Sequence, residues 1–248
     1  MLIPLLAVSL LAFNVSKGQT TVFYDNFSGT PGTPVIGSTP NVGGVFTGSG
    51  PDISADNTYD TAGGSYQAFS TFTSDLGAGE MITLSYNELV PAAGAGTVFT
   101  GWGGVSLFSG GPSGTEEIFT GNSALGSWGT DGNNATSGPG AFWINPTTAA
   151  VQGNNHDNAS GDSMVPNTIT LTYNYDTGYL TFTTDNASYS GTEAAGQELD
   201  TLRIGNGAGD QLNISDLSVV ISPVPEPASM ALLGLGGLGL VLFGRRRS

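Results

Sequence analysis

Polar and apolar residues alternate in short runs along most of the chain. In MITLSY, Ile82, Leu84 and Tyr86 fall on every second position and share one face, as in a half-buried strand. The clearest unit is TITLTYNYDTGYLTFTT, residues 168–184. Ile169, Leu171, Tyr173 and Tyr175 point one way, and Leu180 and Phe182 line a returning strand. Asp176-Thr177-Gly178 between them predicts a three-residue hairpin loop with glycine in the left-handed position. Further strands are predicted over 21–27, 97–102, 104–110, 116–121, 140–145, 199–205 and 214–222. Residues 28–65 and 146–167 are loop-rich. No window carries helical periodicity, so the expectation is an all-β sandwich forming one domain over 19–222.

The two ends break this pattern. Residues 2–13 are mostly apolar, too short to span a bilayer but suited to a signal-peptide core. Ser16 and Gly18 offer small residues for a cut before Gln19, so 1–18 is read as a signal peptide, although no Lys or Arg follows Met1. Residues 228–244 are 17 uncharged, mostly apolar residues. As a helix they measure about 25 Å, against a bilayer core of about 30 Å. Arg245, Arg246 and Arg247 follow at once, and the positive-inside rule leaves them in the cytoplasm with the body outside. Pro225-Glu226-Pro227 stands just ahead of this run, and a residue before proline is driven to extended geometry.

Composition agrees with a turn-rich β-domain: 39 Gly, 13 Pro and no Cys. The absence of Cys excludes disulfides and thiolate metal sites. The formal charge is −15, and between residues 20 and 222 Arg203 is the only Lys or Arg against 19 acids. That body has no basic patch to meet phosphates, which argues against a nucleic-acid partner.

Pro225-Glu226-Pro227, the short Gly/Leu-rich span and the terminal Arg cluster together resemble a PEP-CTERM sorting signal over 223–248. The resemblance implies a bacterial protein exported as an inner-membrane-anchored precursor through helix 228–244. It implies an exosortase-like processing enzyme as partner, then the cell surface or an extracellular, biofilm-type matrix, with exopolysaccharide as a further candidate partner. A plain membrane anchor would explain the apolar span and the Arg cluster, but not the Pro-Glu-Pro. Within the body, YDNF near the start, the central hairpin and LDTLRIGNGAGDQLNISDLSVV near the end resemble concanavalin-like and laminin-G-like jelly rolls. In those folds the first and last strands pair.

Candidate chemistry is sparse. His156, the only histidine, lies in a polar loop, and no Gly-x-Ser-x-Gly elbow is present. A retaining or inverting glycosidase needs two carboxyl groups about 5–9 Å apart across a cleft. The Glu-x-Asp-x-x-Glu pattern of jelly-roll glucanases is absent, Glu116 and Glu117 are adjacent, and Glu80 and Glu88 are read as bracketing a strand. The expectation is a non-catalytic protein that binds carbohydrate, with a secreted polysaccharide hydrolase or lyase as the alternative. Calcium is the candidate cofactor, at Asp131 and Asn133 in TDGNNATSG and at Asp157 and Asp162 in NNHDNASGD, because both stretches concentrate oxygen donors. Trp102, Trp128 and Trp143 are candidates for stacking on sugar, and Arg203 is read as a surface group whose stem covers apolar surface or as a partner of Asp200 or Asp210.

Overall fold

In the computed structural model, alternation along the chain becomes two antiparallel sheets, with fourteen strands among the described residues. The structure describes residues 18–61, 64–90, 102–123, 141–145, 151–153, 165–183, 188–207 and 212–224. In order these strands are β1 (Thr20–Asp25), β2 (Thr47–Ser49), β3 (Tyr59–Asp60), β4 (Gln67–Thr71), β5 (Glu80–Val90), β6 (Trp102–Ser109) and β7 (Thr115–Ser123). There follow β8 (Ala141–Asn145), β9 (Val151–Gly153), β10 (Val165–Asn174), β11 (Tyr179–Thr183), β12 (Ser188–Thr192), β13 (Leu199–Gly207) and β14 (Asn213–Pro223). The described residues contain no helix.

One sheet runs β1-β14-β5-β10-β11-β12, with β3 also on β14, and the other runs β2-β4-β13-β6-β7-β8-β9. First and last strands pair, with Thr20 opposite Ile221. Between the sheets the faces predicted for 82–86 and 168–184 meet apolar residues of the other sheet. Ile82, Leu84, Tyr86, Ile169, Leu171 and Tyr173 pack from one side, and Val105, Leu107, Ile118, Leu202 and Ile204 from the other, all fully buried. A polar tie across them runs from Tyr86 Oη to Thr120 Oγ1 at 3.0 Å. Burial and the nearby Glu88 hold the Tyr86 hydroxyl well above the usual phenol range.

Several boundaries differ from the sequence expectation. β1 ends at Asp25, not Phe27, because the Asp25 carboxylate accepts from Phe27 N–H at 2.8 Å and turns the chain with Phe27 at φ 51°. The β10–β11 loop is Tyr175–Gly178, one residue longer than predicted. Tyr175 leaves the ladder because its N–H goes to Glu80 O and its carbonyl to Gly196 N–H. Gly178 takes φ 67°, as predicted. Glu88 does not flank a strand: it lies inside β5, buried, at the same parity as Ile82, Leu84 and Tyr86. β4 escaped the pattern because its small Ala68 and Ser70 are buried while its large Phe69 is only half-buried on the opposite face. Of the predicted strand 97–102, residues 97–101 lie outside the described residues.

Candidate functional site

The sheet centred on β13 has a second face, away from the core. Register places Phe69, Arg203, Ser106 and Phe119 in one row across β4, β13, β6 and β7, and Thr71, Thr201, Phe108 and Glu116 in the next. The row on the other side carries Gly205, Gly104 and Gly121, and continues to the register position of Trp143 on β8. Alternation along each strand forces this arrangement once Leu202, Leu107 and Ile118 face the core.

Arg203 sits at the middle of that face and is only 6% exposed. Its guanidinium pairs with Glu116, donates to Ser106 Oγ at 2.8 Å, and lies 5.2 Å from the Phe108 ring centre. Phe108 meets Phe69 edge to face at 5.6 Å. Desolvation lowers the Arg203 pKa, and the Glu116 charge works against that shift. Of the two expected partners, Asp200 accepts from the amides of Gly110 and Gly111, each at 3.0 Å, and Asp210 lies outside the described residues. A β-bulge at Glu117 separates the two adjacent glutamates. Glu116 turns to Arg203, while Glu117 accepts from Ser109 Oγ at 2.6 Å and Gln197 Nε2 at 2.9 Å. Both carboxylates are thus engaged with neighbours of their own sheet or its connections.

An open cleft lies at the end of the sandwich where β3, β4 and β13 meet. It has a volume of about 400 Å³ and is lined by Asp52, Ser54, Asp60 and Tyr66, among others. Asn206 of β13 fixes its wall: its side chain accepts from Tyr66 N–H at 2.9 Å, and its own N–H donates to Tyr66 O at 3.0 Å. An aromatic ring beside two carboxylates and a hydroxyl can stack on a sugar ring and accept bonds from its hydroxyls. No sequence pattern marks this cleft, since its lining comes from short pieces joined only in the fold.

The calcium candidates Asp131, Asn133, Asp157 and Asp162 lie outside the described residues, as do His156 and Trp128. Pro225, Glu226, Pro227, Arg245, Arg246 and Arg247 also lie outside them. Among the described residues no three His, Cys, Asp or Glu side chains gather to hold a metal ion, and no helix is long and apolar enough to cross a membrane.

The fold is similar to lectin and concanavalin-like jelly rolls among solved structures. An endo-1,3-beta-glucanase from Streptomyces sioyaensis superposes with a TM-score of 0.52 at 12% identity, covering 84% of this chain and 98% of that one. The metal-free exoplasmic/lumenal domain of VIP36 gives 0.51 at 10% identity, over 84% and 92%. Lectin II from Ulex europaeus gives 0.50 at 11% identity, over 84% and 99%. At such identities the likeness is one of fold. No curated protein matches the chain. Its C-terminal residues 223–247 match the PEP-CTERM protein-sorting motif.

Proposed function

We propose that the chain is an exported bacterial surface or matrix protein, sorted through its C-terminal motif, whose sandwich binds carbohydrate without catalysis. In this reading residues 1–18 are the signal peptide, 19–222 the folded body, and 223–248 the sorting signal, with 228–244 as its membrane helix and an exosortase-like enzyme as its processor. The observation that carries it is the match of residues 223–247 to the sorting motif, directly continuous with β14. The Tyr66 cleft supports the binding half, and lectins and a glucanase share the fold. Glu116 is taken up by Arg203, and the Glu-x-Asp-x-x-Glu pattern is absent from the sequence, which favours a binding protein over a hydrolase.

The test is the intact mass of the protein recovered from its own host. Loss of the residues beyond Pro225-Glu226-Pro227 is the expected result, and Glu226→Ala should leave the unprocessed precursor. An intact tail with all three arginines would reduce the motif to a plain anchor. For binding, the expected outcome is retention of the host's exopolysaccharide by the purified protein, weakened about tenfold or more by Tyr66→Ala. Reducing-end release from that polysaccharide would favour the hydrolase instead.

A further inference from the structure

Resting on that sorting reading, we propose that one particular end of the sandwich faces the membrane in the exported precursor. This end is built by Gly18–Thr20, the turn over residues 73–79, the hairpin loop Tyr175–Gly178 and Val224. The chain before β1 and the chain after β14 leave it side by side, because Thr20 and Ile221 are ladder partners. No slack separates the fold from the motif. Pro223 still pairs with Glu80, Val224 N–H donates to Gly79 O at 2.9 Å, and Pro225 is the next residue. The turn that holds Val224 is itself fastened, since Asp176 Oδ2 accepts from Gly79 N–H at 2.9 Å. Two prolines within the next three residues each fix one backbone angle, so the connection has little freedom to let the body swing.

The opposite end then points away from the cell. β5 runs 11 residues between the two ends, roughly 35 Å at strand rise. Ser65 and the Tyr66 cleft lie at that far end, with the strand ends Ser123, Ala141, Gly153 and Val165 that flank the two oxygen-rich stretches. The near end exposes Asp75, Asp176 and Glu198, which repel anionic headgroups. The tether, not affinity for lipid, therefore sets the orientation.

The chain has no cysteine, so Ala78→Cys at the near end and Ser65→Cys at the far end, both exposed, give one labelling site each. Each full-length variant is labelled with a fluorophore and reconstituted into phosphatidylcholine vesicles carrying headgroup-spin-labelled lipid. The expected result is loss of fluorescence at position 78 and its retention at position 65. Equal loss at both, or loss at position 65 alone, would overturn the orientation. Protein that fails to sediment with the vesicles would overturn the membrane reading itself, and the proposal with it. A flexible Gly/Ser insert of about ten residues between Val224 and Pro225 should shrink the difference between the two labels. A difference untouched by the insert would overturn the role given to the short connection.

Discussion

Arg203 shows how one residue can be plain in sequence and unreadable in role. As the only Lys or Arg between residues 20 and 222 it stands out, but its ion pair with Glu116 is not marked by closeness in sequence. Glu116 reaches it through strand register, from 87 positions away. With one charge removed the other remains largely buried, so Glu116→Gln should destabilise the fold by roughly 3 kcal/mol in urea unfolding. The double variant Glu116→Gln/Arg203→Met should recover part of that loss. Asp25 gives a prediction of opposite character. Burial raises its carboxyl above the ordinary 3.8, outweighing the Phe27 amide bond that lowers it. A raised folded-state value means that the fold binds this proton more tightly than the unfolded chain does. The contribution is therefore present at low pH and lost as pH rises through the folded-state value. Asp25→Asn should match the parent below about pH 4 and gain on it towards pH 7, read as unfolding midpoints across that range.

At the level of elements, the hairpin β10–β11 was legible because Ile169, Leu171 and Tyr173 repeat at the strand period and Gly178 marks the turn. Its actual loop was not, because Tyr175 is drawn away by Glu80 and Gly196, which are distant in sequence. Gly178 is doubly constrained: it holds φ 67°, and an added Cβ would stand 2.1 Å from Glu193 O. Gly178→Ala should cost roughly 2 kcal/mol in denaturant unfolding. Gly196 also holds a left-handed angle, φ 79°, but has open space around it. Gly196→Asn should therefore stay within about 0.5 kcal/mol of the parent, since asparagine tolerates that region. β12 and β4 were missed for a shared reason. SYSGT pairs by its backbone with few apolar side chains, and QAFST buries its small residues and not its large one.

For the whole molecule, charge and continuity matter most. A net charge of −15 makes the folded state self-repelling, so the melting temperature should rise by several degrees as sodium chloride increases from low levels to about 0.15 M. Calcium compared with magnesium at matched ionic strength tests the oxygen-rich stretches separately. A rise specific to calcium would point to a bound ion beyond general screening. The sandwich runs directly into its sorting motif in sequence, since β14 sits between β1 and β5 and its last residue opens the motif. Truncation before Val219 should abolish folding, read as loss of the cooperative unfolding transition, whereas truncation after Val224 should leave it.

The sequence by itself determined the fold class, the core faces of β5, β10 and β11 and the sorting motif. Each of these is local: period-two alternation, turn chemistry, and a motif whose parts lie within 25 residues of one another. Only the tertiary structure decided the ion pair of Arg203 with Glu116, the burial of Glu88 inside β5 and the Tyr66 cleft. Those depend on which strands become neighbours and in what register. Pairing across 87 or more positions is set by the collective packing of two sheets, and no short stretch of residues encodes it.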